Sequence, residues 1–120
     1  MSTTSSYQTV VLADNGSLTD SIDLRHVELK AIVIPAGWVA ADITFSASLD
    51  NVTFYNLHES GGDTEVTVQA AASKHIALAE AAKDAVATVL YVKIRSGVAA
   101  TPVSQTGGPL TLGLVVTPRD

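Results

Sequence analysis

The sequence predicts an all-β protein: a single-domain antiparallel β-sandwich of about eight short strands, with at most one short helix near residues 80–88. Three observations carry this. Apolar and polar residues alternate with period two along most segments, as on strands with one buried face. Turn signals separate those segments at the roughly 8–12-residue spacing of sandwiches and barrels. No long amphipathic helix interrupts them, which argues against a parallel βαβ sheet, and no internal repeat is visible. A chain of 120 residues fits one domain and can bury a core without staples.

Residues 1–6 read as a polar, flexible arm, and residues 7–120 as the sandwich domain. A first strand over 7–12 ends at Asp14-Asn15-Gly16, a turn signal. Residues 18–24 alternate imperfectly and predict a short strand. Over 27–34, Val27, Leu29, Ala31 and Val33 alternate with Glu28, Lys30, Ile32 and Ile34. The first half of that strand is one-sided and the second apolar on both faces, as in a covered strand. Pro35-Ala36-Gly37 ends it. The clearest pattern is a hairpin over 41–57 with its turn at Asp50-Asn51. Ile43, Phe45, Ala47 and Leu49 share one face of its first arm, and Thr44, Ser46 and Ser48 the other. On the second arm Val52, Phe54 and Asn56 alternate with Thr53, Tyr55 and Leu57. Gly61-Gly62-Asp63 makes the next turn, followed by strands over 64–70 and 75–78. Residues 80–88 are rich in helix formers but give two turns at most. A strand over 89–95 sets Leu90, Val92 and Ile94 against Tyr91, Lys93 and Arg95. A long loop over 96–109 precedes the last strand, 110–117, with Leu110, Leu112, Leu114 and Val116 on one face.

Composition narrows the function. Hydrophobic residues make up 47% and charged residues 16%, against about 25% charged in a typical soluble domain. Surface not covered by charge is covered by small neutral residues or by a partner. Net charge is −5 and the seven basic residues are scattered, so nucleic acid is not an expected partner. There is no cysteine, which excludes disulfides, thiolate metal sites and thiol nucleophiles. Met1–Ser6 lacks the charged start and apolar core of a signal peptide. The uncharged stretch 96–118 contains Pro102, Gly107, Gly108 and Pro109, so it is no continuous membrane helix. The expectation is a soluble protein made in the cytoplasm, with no membrane partner.

Little in the chain points to chemistry. His26, His58 and His75 lie on separate segments without ligand spacing, so no metal site is expected. The run from Asp14 to Asp20 loosely resembles a calcium loop but lacks its alternating acids and terminal Glu; a turn with Asx hydrogen bonding explains it better. No nucleophile elbow or phosphate-cradling glycine loop is present, and Glu59, Asp63 and Glu65 read as solvated loop carboxylates. The expectation is therefore no enzyme, no catalytic residue and no cofactor. Trp38 reads as a core cap, an interface anchor or a ligand platform. Tyr91, Lys93 and Arg95 share a strand face that is either solvated or an ion-pairing contact to an acidic partner.

One resemblance covers residues 20–117. The segments Ile34-Pro-Ala-Gly-Trp38, Ile43-Thr-Phe-Ser-Ala-Ser-Leu-Asp-Asn-Val-Thr-Phe-Tyr-Asn56, Val66-Thr-Val68, His75-Ile-Ala-Leu78, Tyr91-Val-Lys-Ile-Arg-Ser-Gly97 and Leu110-Thr-Leu112 follow one another in an order that resembles tailed-bacteriophage virion proteins, in particular capsid decoration (cement) proteins with a jelly-roll-like sandwich. The hairpin at 48–54 also looks like a piece of discoidin-like carbohydrate-binding sandwiches, which usually carry Gly where Asn51 stands. The first resemblance implies a virion protein on the capsid surface that binds the major capsid protein, stabilises the head and self-associates as a dimer or trimer. A glycan- or receptor-binding fibre tip, or a neck or tail component, is the alternative. The candidate interface residues are Ser2, Thr3 and Thr4, since polar arms of this kind often order on docking, together with Tyr7, Trp38, Tyr91, Lys93 and Arg95.

Overall fold

A computed structural model describes residues 4–119. Nine strands and one helix occur among them: β1 (Ser6–Leu12), β2 (Ile22–Asp23), β3 (Val27–Ile34), β4 (Ile43–Ser48), β5 (Tyr55–Asn56), β6 (Lys74–Ala77), α1 (Glu80–Val86), β7 (Tyr91–Val98), β8 (Thr101–Pro102) and β9 (Leu110–Pro118). One sheet has the order β1-β9-β3-β6 and the other β2-β7-β4-β5, with β8 beside β7. Every strand pairing is antiparallel. The all-β sandwich is as the sequence predicts.

Its topology has a simple origin. With β8 set aside, the pairs β1·β9, β2·β7, β3·β6 and β4·β5 are successive rungs of one long hairpin. Rolling that hairpin drops alternate rungs into opposite sheets, which is the jelly roll. The tip of the roll is the connection through Asp50-Asn51.

The core lies between the sheets. Leu12, Ile32, Ile34, Ile43, Phe45, Ile94, Leu112 and Leu114 are fully buried there. Each such side chain contributes about 1.5–3 kcal/mol through removal from water. Strand β9 keeps its predicted phase, with Leu110, Leu112, Leu114 and Val116 all inward. Helix α1 is short and amphipathic: it buries Ala82 and Val86 and lies where the helix-forming run predicts. No helix among the described residues is long and apolar enough to cross a membrane.

One strand carries a bulge that the sequence does not announce, and three expectations are corrected. In β3 the register against β9 shifts between Leu29 and Ala31. The bulge reverses the side-chain phase, so Leu29 points inward before it and Ile32 and Ile34 after it, while Val33 turns outward and is half-buried. The second hairpin arm starts late: residues 49–54 do not pair, and β5 has two residues, matching Ser46 with Asn56 and Ala47 with Tyr55. Leu57, not Val52 or Phe54, reaches the core. The strands expected over 18–24 and 64–70 shrink to β2 and to isolated bridges, Leu18 to Arg95, His58 to Glu65 and Val68 to Ile43. Finally, β7 runs on to Val98, and the expected loop after it holds β8.

Candidate interaction surface

The tip of the roll is a rigid loop with an apolar outside. The Ser48 hydroxyl accepts hydrogen bonds from the Asp50 and Asn51 amides at 3.1 and 2.9 Å. The Asp50 carboxylate accepts from the Val52 and Thr53 amides, both at 2.9 Å, and from the Ser48 hydroxyl. These side chains capture amides that would otherwise continue the ladder, which is why the second arm begins late. The Thr53 and Val52 amides, then Ser48, hold the Asp50 carboxyl below its ordinary pKa. Asn51 takes the left-handed conformation at φ 63°, which Asn tolerates. Its side-chain oxygen accepts from the Ser21 hydroxyl at 2.6 Å, tying the tip to the segment before β2. Held this way, the loop leaves Leu49 69%, Val52 81% and Tyr55 72% exposed. A shallow depression of about 370 Å³ runs beside them, floored by Ala47, Thr53 and Val89.

The neighbouring face of the second sheet is bound up internally. Arg95 is buried and donates to Thr44 Oγ1 at 3.2 Å, Glu65 Oε2 at 3.0 Å and Asn56 Oδ1 at 2.8 Å. The other Glu65 oxygen accepts from the Ala99 amide at 3.1 Å. This clasp joins β4, β5, β7 and the 64–68 segment. Lys93 sits over the Phe54 ring at 4.5 Å, and the Arg25 guanidinium sits 5.4 Å from the Tyr91 ring centre. Arg25 also grips Asp23 through Nε and Nη2 at 3.0 and 2.8 Å. The side-chain bond and then the Arg25 amide pull the Asp23 carboxyl down to about 2.

The candidate residues therefore scatter. Ser2 and Thr3 lie outside the described residues, and Thr4 is exposed just before β1. Tyr7 is 67% exposed on the outer face of the first sheet. Its ring covers Gly113 of β9, where an added Cβ would come within 2.9 Å of the ring. Tyr91 and Lys93 are half-buried beneath their own cation–ring pairs. Trp38 turns inward, lies in the core and donates from Nε1 to the Ala41 carbonyl at 3.1 Å, whereas Arg95 stays on the outer side of β7, opposite Thr44, and is buried there under Asn56 and Glu65. Among the described residues no three His, Asp or Glu side chains gather into a possible metal site. The Asp14 segment is a turn: the Gly16 amide bonds the Ala13 carbonyl at 2.8 Å, and Asp14 accepts from the Gly108 amide at 3.2 Å.

Two structural residues had no sequence signal. Gln105 is fully buried within the long loop. Its Oε1 accepts from the Val39 amide at 2.6 Å, and its Nε2 donates to the Val39 carbonyl and the Ser96 hydroxyl. Arg119 donates to the carbonyls of Leu24, Ala87 and Val89, closing the C-terminal end of α1. Each joins segments far apart in sequence, so no local pattern announces it. The tip's apolar residues are visible in the sequence, but Leu49 and Val52 read as strand positions and only Tyr55 lies on a strand, β5.

The class this geometry defines is a rigid jelly-roll domain with an apolar tip. A crystal structure of the SPBc2 prophage-derived protein YomS has a similar fold: the match covers 97% of each chain at a TM-score of 0.53, with 16% sequence identity. No family model and no curated protein sequence matches the chain.

Proposed function

We propose that this protein is a non-enzymatic structural component of a tailed-phage virion, and within that class a capsid decoration protein that docks on the lattice of the major capsid protein and stabilises the head. The observation that carries the reading is the tip: a loop locked by Ser48 and Asp50 that holds Leu49, Val52 and Tyr55 in solvent. Exposed apolar residues on a pre-organised loop favour binding, since little ordering entropy is lost on docking. The whole-length likeness to a prophage-derived protein supports a phage setting. The low charged fraction supports a surface made to be covered. A repeated lattice turns modest contacts into avidity. In this reading the partners are the capsid protein and further copies of the chain, not nucleic acid or membrane, and the protein acts on the outside of the virion.

The test is to mix purified protein with undecorated heads, sediment them, and image the pellet by cryo-electron microscopy. Stoichiometric density in lattice register is expected, and Val52→Asp should abolish it while leaving the thermal transition in place. Density confined to the neck, tail or fibres, or heads that stay bare, would overturn the decoration reading.

A further inference from the structure

We infer that β1 is a self-association edge, pairing antiparallel with β1 of a second copy about a two-fold axis at Thr9, so that two four-stranded sheets become one sheet of eight. This rests on the self-association included in the reading above and names its surface and register.

The sandwich has four sheet edges. β2 and β5 have two residues each, and β6 has four, including Lys74 and His75. Shortness and charge are the usual ways to blunt an edge against pairing. β1 has neither. It runs seven residues, Ser-Tyr-Gln-Thr-Val-Val-Leu, with no charge, no proline and an unbroken register against β9 from Ser6 to Leu12. Alternate residues of a strand turn N–H and C=O away from their one partner. Among the described residues, no hydrogen bond reaches Ser6–Leu12 from outside the sheet ladder. Tyr7, Gln8 and Thr9 are exposed, and a cleft of about 340 Å³ opens along the flank between β1 and β2. The edge is accessible.

The strand's own sequence selects a second copy as occupant. About a two-fold at Thr9, Tyr7 faces Val11 of the other copy, Thr9 faces Thr9, and Gln8 faces Val10. The register against β9 places Tyr7, Thr9 and Val11 together on the outer face, opposite Val115, Gly113 and Thr111. Aromatic with β-branched and Thr with Thr are favourable cross-strand pairs, and no like charges meet along the seam although each chain carries −5. Tyr7 and Val11 are also the exposed large hydrophobic residues of this strand. One strand edge is a small interface, so the association is of the weak class, measured at high protein concentration.

The chain has no cysteine, so single-cysteine variants report register directly. Sedimentation equilibrium of the full chain across micromolar to millimolar concentration should show a monomer–dimer equilibrium. Thr9→Lys sets two ammonium groups opposite each other and should weaken it about fivefold or more, whereas Ser60→Lys, on a distant exposed loop, should leave it unchanged. Under mild oxidation Thr9→Cys should cross-link with itself. Tyr7→Cys should cross-link with Val11→Cys far faster than with itself. A monomer throughout, a dimer indifferent to Thr9→Lys, or Thr9→Cys cross-linking no faster than Ser60→Cys would each overturn the inference. A monomeric chain that still decorates heads would refute this seam alone.

Discussion

Replacing Arg95 by Met isolates the clasp that holds the outer side of the second sheet. The substitution keeps most of the aliphatic stem and removes three hydrogen bonds, to Thr44, Glu65 and Asn56. Asn56 is exposed and rehydrates. The Thr44 hydroxyl keeps its bond to the Gly97 carbonyl at 2.7 Å. The loss falls on Glu65, whose carboxylate retains the Ala99 amide but no cation. Breaking a fully buried pair costs about 3–5 kcal/mol. Here the two side chains are 11% and 16% exposed, so water reaches the abandoned carboxylate. We expect about 2–3 kcal/mol, below that range because the site is not sealed. Unfolding entropy near 2.1 cal/mol/K per residue gives about 250 cal/mol/K for this chain, so the thermal midpoint should fall by about 8–12 °C.

The assay is urea denaturation of the wild type, Arg95→Met, Glu65→Leu and the double variant. If the clasp is a coupled unit, the double variant loses about 1–2 kcal/mol less than the sum of the singles. An Arg95→Met loss under about 0.5 kcal/mol, the scale of a surface substitution, or strict additivity would refute the reasoning. Head binding measured well below the midpoint should be unchanged, because Arg95 is buried and its guanidinium is taken up by Thr44, Glu65 and Asn56 of its own chain.

Three further outcomes follow from the geometry. Gly113→Ala should destabilise by about 1–2 kcal/mol in the same titration, since the new methyl meets the Val33 Cβ at 3.0 Å and that atom, unlike the Tyr7 ring, is fixed by its strand. Gln105→Leu should cost about 2–4 kcal/mol by leaving the Val39 amide and carbonyl unpartnered, read by chemical denaturation and by hydrogen exchange at Val39. Asp23 has a folded pKa lowered to about 2 from 3.8 by Arg25, so its stabilisation is complete above the unfolded value and lost as pH falls through the folded one. The thermal midpoint should therefore drop from about pH 4 to pH 2, and Asp23→Asn should flatten that slope.

How much of this was legible in the sequence depends on what made each element. β9 and β1 were legible because simple alternation survives where one face is buried. The run at 80–88 was legible because helix propensity is local, and Glu80–Val86 is helical. β3 lies where the sequence places it, and its second half is covered as the two apolar faces predict; the bulge that sets which face is inward carries no residue-level mark. The second hairpin arm failed for a different reason. Val52, Phe54 and Leu57 look like strand residues, but Ser48 and Asp50 take the amides that pairing would need. Asp50-Asn51 marks a turn in the sequence, but nothing there marks the size of the loop it holds. The sequence leaves Arg95 open between a solvated face and a contact to an acidic partner, because the partners it has, Glu65 and Asn56, lie some 30 or more residues away in the chain.

The two ends of the rolled hairpin carry five of the eight exposed large hydrophobic residues found among the described residues, the others being Leu18, Val39 and Leu90. The inner rungs end at the edges β2, β5 and β6, which have two to four residues each. The outermost rung leaves β1 as a free edge with Tyr7 and Val11 uncovered, and the innermost ends in a tip with Leu49, Val52 and Tyr55 uncovered. A domain living alone would be expected to blunt both with charge, yet neither Ser6–Leu12 nor Leu49, Val52 and Tyr55 includes a basic residue, and the one acid at the tip, Asp50, is engaged with backbone amides. Both places flank Ser21, which bonds Asn51 of the tip and lines the cleft beside Thr9, and the reading gives them different occupants: the chain's own kind at the edge and a different surface at the tip. The two contacts should then separate by mutation. Val52→Asp should abolish head binding and leave sedimentation equilibrium unchanged, while Thr9→Lys should weaken the dimer and reduce decoration only through lost avidity. If either variant impaired both assays equally, the two ends would be parts of one interface and this division of labour would be wrong.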